Sequence, residues 1–79
     1  MTIKFAWSGS YAANAARLSA LAERPGNTLE EKQCIYANLQ QLAQLVQLEI
    51  ETYQRQNFVA GWLINTQAKI AKAQAIVSQ

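Results

Sequence analysis

Few residues in this chain could carry out covalent or acid–base chemistry. It has no histidine and no aspartate, so proton transfer would fall to five glutamates, four lysines, three tyrosines or the single Cys34. Glu49 and Glu51 stand two residues apart, which on a helix turns them about 200° away from each other. They cannot flank one reacting bond. Glu30 and Glu31 have a structural task instead: Thr28-Leu29-Glu30-Glu31 is a capping box placed at the positive end of a helix. Cys34 has only Lys32 near it in sequence, facing elsewhere, so nothing local would activate it as a nucleophile.

The same inventory argues against metals and cofactors. One cysteine with five scattered glutamates does not supply a zinc or calcium cage, and a lone cysteine forms no internal disulfide. Neither a glycine-rich phosphate loop nor a nucleophile elbow is present. The composition therefore points to a protein that is not an enzyme and takes no cofactor.

Charge narrows the choice of partners. A net charge of +2 over 79 residues is too weak to imply nucleic acid or an anionic membrane. The excess comes from Arg55, Lys69 and Lys72, because the chain up to Glu51 carries four basic and five acidic residues. Three cations beside Asn65, Gln67 and Gln74 could form a small nucleic-acid reader, but they would neutralise few phosphates. No segment approaches the ~18 apolar residues of a membrane span. Asn14 and Arg17 interrupt the only stretch that could serve as a signal peptide, before Ala20-Leu21-Ala22. A cytoplasmic setting, with Cys34 reduced, is the expectation.

The elements that must position these residues read as helix throughout, with fourteen alanines and ten glutamines. Residues 1–9 form an N-terminal arm with Phe5 and Trp7 as anchors, broken by Ser8-Gly9-Ser10. A first helix over 10–23 starts from Ser10 as N-cap and has Tyr11, Ala15, Leu18 and Ala22 on its inner stripe, with Leu21 at the edge. Ala13, Ala16 and Ala20 give its other side room for close helix approach. Arg24-Pro25-Gly26-Asn27 is a turn. A second helix over 28–55 follows, with Ile35, Leu39, Leu42, Val46, Ile50 and Tyr53 inward, Tyr36 and Ala43 beside them, and glutamines outward. Cys34, Leu45, Leu48 and Thr52 lie off that stripe and form a second, partner-seeking seam.

The end of the second helix decides the architecture. From Phe58 the apolar stripe runs Phe58, Trp62, Thr66, Ile70, Ala73 and Val77, with Val59 and Leu63 beside it. In an unbroken helix it would sit roughly 190° from the preceding stripe. A break near 54–58 lets both stripes share one core, giving an all-α three-helix bundle with a third helix over 58–77. The alternative is a helical hairpin whose second helix continues for about 50 residues, roughly 75 Å. In it Leu45, Leu48 and Thr52 would align with Val59, Leu63, Thr66 and Ile70 as the seam of an assembly.

A domain this small gains stability from partners. The expected function is a non-enzymatic protein-binding module: an inhibitor, adaptor or assembly factor of the kind phages and mobile elements encode. Its partner-binding residues would be Cys34, Leu45, Leu48, Thr52, Trp62 and Trp7. The alternatives are a self-assembling structural subunit, a homo-oligomer or filament, and a small nucleic-acid binder using the last helix.

Overall fold

Three helices account for the computed structural model, which describes Trp7 and residues 9–79: α1 (Tyr11–Glu23), α2 (Leu29–Arg55) and α3 (Gly61–Val77). The fold is an all-α three-helix bundle in which every pair of helices packs together. At 1.5 Å per residue the 27 residues of α2 extend about 40 Å, close to the 43 Å long axis of the molecule. The 13 residues of α1 span about half of that.

The start of each of the first two helices follows from its cap. Ser10 Oγ accepts a hydrogen bond from the Ala13 amide at 3.1 Å. The capping box at α2 is complete: the Glu31 amide donates to Thr28 Oγ1 at 3.1 Å, and the Thr28 amide donates to Glu31 Oε1 at 2.9 Å. The turn between them is tied down by polar contacts. Gly26 takes a positive φ of 81°, Asn27 donates its side-chain amide to the Leu21 carbonyl at 2.8 Å, and Arg24 pairs with Glu31 at 3.1 Å.

Leu18, Ile35, Leu39, Leu42, Val46 and Ile70 are the largest side chains fully removed from water. Ala15, Ala22, Ile50, Ala60, Leu63, Ala73 and Val77 complete the core, and Tyr11, Leu21, Ala43 and Tyr53 pack against it half-buried. Burying such a set is the main favourable term for the fold. Asn14 is buried as well, outside the expected apolar stripe. Its amide donates to the Ser10 carbonyl at 3.0 Å and its oxygen accepts from Arg17, so it enters the interior with its hydrogen bonds made.

The helix breaks after Arg55, so the continuous 50-residue helix does not form. Asn57 takes a positive φ of 59°. Its amide donates to the Gln54 carbonyl at 2.9 Å, and the Phe58 amide donates to the Tyr53 carbonyl at 3.0 Å. These are the two bonds of a Schellman motif, with asparagine in place of the usual glycine. The ring contact that accompanies the motif is present too, Tyr53 and Phe58 centroids lying 5.6 Å apart.

Helix α3 begins at Gly61 rather than at 58 and is capped by no side chain. Phe58 and Val59 form the link that precedes Ala60, whose carbonyl accepts the first helical bonds from Leu63 and Ile64. The inner face is correspondingly Leu63, Thr66, Ile70, Ala73 and Val77. Phe58, Trp62 and Val59, expected on or beside that face, are 47%, 55% and 74% exposed. Phe58 and Val59 precede the helix and so have no place on its inner face. For Trp62 the reason is helical phase: the step of four residues to Thr66 drifts by about 40°, whereas alternating steps of three and four hold one direction.

Candidate functional site

The bundle surface carries three features, and the residues expected to bind partners belong to the first two. The first is the end of the molecule where α2 turns into α3. Tyr53, Phe58 and Trp62 meet there with ring centroids 5.6, 5.6 and 5.8 Å apart, in tilted and edge-on arrangements. Such geometries are the favoured ones for aromatic pairs. Tyr53 is half-buried and anchors the group, while Phe58, Trp62 and the adjoining Val59 face water. Trp7, 39% exposed, lies just before α1. The remainder of the N-terminal arm, Phe5 included, lies outside the described residues.

The second feature is the outer face of α2. Leu45 is 39% and Leu48 61% exposed, with Leu48 roughly 160° around the helix from the buried stripe. Thr52 is exposed on the same side, and its hydroxyl donates back to the Leu48 carbonyl at 2.9 Å. Cys34 shares this side but stands three turns away and is half-buried. Asn38, between them, donates its amide to the Cys34 carbonyl at 2.9 Å. The seam is therefore a short ridge around Leu45 and Leu48, not a stripe along the whole helix.

The third feature is a trough between α1 and α3 that the sequence did not indicate as a groove. Ala16, Ala20 and Ala68 line it together with Lys69 and Lys72, and it encloses about 530 Å³. Ser19 Oγ lies in its α1 wall, closed off from solvent and without a hydrogen-bond partner. Of the small side chains expected to admit another helix, Ala16 and Ala20 lie along this trough and Ala13 does not; Ala15, Leu18 and Ala22 make the core contact.

Phe58 and Val59 escaped the sequence reading because they were assigned to the core. Placing Asn57 in the left-handed region would have revealed them: the residue after such a cap leaves the helix axis. Tyr36, beside the expected inner stripe, is likewise 38% exposed. At the opposite end it lies with Leu29 near the C-terminus of α3, where Lys32 Nζ donates to the Gln79 carbonyl at 3.3 Å.

The electrostatics are plain. Hydrogen bonds from the Thr28 backbone and hydroxyl hold the Glu31 carboxyl below the ordinary glutamate range, with Arg24 adding to the effect. Among the described residues no group of three or more histidines, cysteines or acids comes together as a metal site. None of the helices described is long and apolar enough to cross a membrane. No protein-family model, curated protein or solved structure matches the chain.

Proposed function

We propose that this protein is a non-enzymatic protein-binding module that acts by occupying a surface of a larger protein, as an inhibitor, adaptor or assembly factor. The observation that carries the reading is the aromatic end. Phe58 and Trp62 are roughly half exposed, in contact with each other, and held on a half-buried Tyr53. Two large rings fixed at the tip of a rigid bundle lose little conformational freedom on binding and bury much apolar area. Tryptophan and tyrosine are also the residues most enriched in binding hot spots. Val59, 74% exposed, extends the patch beyond the rings.

The test compares the wild-type chain with a Phe58→Ala/Trp62→Ala variant in affinity capture from source-cell extract, followed by calorimetry on the captured protein. The expected outcome is at least a tenfold weakening, about 1.4 kcal/mol or more, with unchanged helical circular dichroism. A partner held equally by both proteins, or none held by the wild type, would remove the aromatic end from consideration.

A further inference from the structure

The α1–α3 trough and the outer ridge of α2 complement each other; the ridge is separate from the aromatic patch, and the trough meets it only at Trp62. Two adjoining depressions between α1 and α3 share Asn65 and Lys69 and together reach from Trp62 to Ile76 along α3. The fourteen steps between them extend about 21 Å, four helical turns. Alanines at positions 16, 20 and 68 let a helix backbone come close. The α3 wall presents Lys69 and Lys72, neither of which makes an ion pair among the described residues; the α1 wall adds one acid, Glu23, so the trough is positive by one charge.

No residue of α2 lines this trough, which therefore opens on the side of the bundle remote from α2. The outer face of α2 is its counterpart in shape and charge. Leu45 and Leu48 project as a narrow apolar ridge. Glu49 and Glu51 flank Leu48, again without ion pairs among the described residues. Four of the five acids of the chain are in α2, whereas α3 carries lysines and no acid.

We propose that the trough receives the α2 ridge of a second copy of this chain. The leucines would rest over the alanines. Because Glu49 and Glu51 point to opposite sides of Leu48, one of them faces the lysine wall whichever way the incoming helix runs. The contact is heterologous: each subunit uses a trough and a ridge on opposite sides and leaves the other of the pair free. Assembly then continues as an open chain, or closes into a ring if the rotation permits.

Sedimentation velocity and light scattering test this, with the wild type taken to millimolar concentration at low and high salt. The mass is expected to grow past that of a dimer at low salt and to fall as salt screens the lysine–glutamate contacts. Leu48→Glu, which destroys the ridge, and Lys69→Glu/Lys72→Glu, which reverses the trough, are each expected to remain monomeric. Mixed in equal amounts, they should form a complex of two chains that grows no further, because one supplies only a trough and the other only a ridge. All three positions are exposed, and circular dichroism checks the folding; Leu48→Gln replaces Leu48→Glu if the latter loses helix. A wild type monomeric at millimolar concentration in low salt overturns the proposal, as does a mixture that stays monomeric or a single variant that assembles like the wild type. The Phe58/Trp62 reading is told apart from this one by its substitutions: Leu48, Lys69 and Lys72 lie outside the aromatic cluster, so these variants keep both rings.

Discussion

The two joints of the bundle do the same job by opposite means. Between α1 and α2 the chain turns through Arg24-Pro25-Gly26-Asn27 and closes with polar contacts: a capping box, a side-chain amide on the Leu21 carbonyl, and an Arg24–Glu31 ion pair. Between α2 and α3 it turns on Asn57 and closes with rings: a Schellman pair of backbone bonds, then Tyr53 against Phe58 and Trp62. The first joint leaves no large apolar side chain exposed except Leu29. The second leaves Phe58, Val59 and Trp62 in water. A turn stabilised by its own polar groups has no need of a neighbour. One stabilised by half-exposed aromatics keeps apolar area available to a partner, which is why the functional proposal falls on the second joint.

The comparison is most severely tested in the helix that follows the second joint. With no side-chain cap, α3 depends on its buried face, so Ile70→Ala should cost about 2–5 kcal/mol and reduce helical content in urea-melting experiments. A loss below 1 kcal/mol would mean that α3 is held by something other than the core. Next in size is Asn57. Valine there would force a β-branched residue into the left-handed region at about 1–2 kcal/mol, while Asn57→Gly should be neutral or stabilising. Equal effects from the two would show that the turn is not held in that conformation.

At the first joint the expected effects are smaller because several contacts share the task. Thr28→Ala should cost about 1 kcal/mol in chemical denaturation. The smallest effect is one of pH. Glu31 titrates below its unfolded value, so its contribution to stability is present at neutral pH and is lost as the pH falls from the ordinary glutamate value through the lowered one. Glu31→Gln, which can still close the capping box, should flatten that part of the acid limb. An unchanged acid limb would place the titration elsewhere.

Legibility differed between the joints for physical reasons. Ser10, Thr28 and Glu31 act on amides within four residues of themselves, so their effect can be read from local spacing. The inner stripes of α1 and α2 were legible for the same reason: Ala15, Leu18 and Ala22, and Ile35 through Ile50, recur at the helical period. The Asn57 turn was visible only as a weak break, since asparagine adopts the left-handed region without being confined to it. Once the break was taken to start α3 at 58 rather than Gly61, Trp62 was drawn inward and Leu63 relegated to its flank. Leu45 and Leu48 were correctly set apart from the core, but the trough opposite them was not legible, because it is formed by residues about fifty positions apart.

What the sequence determined by itself is the all-α class, the caps that start α1 and α2, and the inner faces of those two helices, because each is a matter of interactions within a few turns. What only the tertiary structure decided is where Phe58, Val59 and Trp62 go, and that α1 and α3 leave a lysine-walled trough between them. Both depend on how the break at Asn57 rotates α3 about its axis. That rotation is set by fitting Leu63, Ile70, Ala73 and Val77 against two other helices, a condition that no local stretch of residues contains.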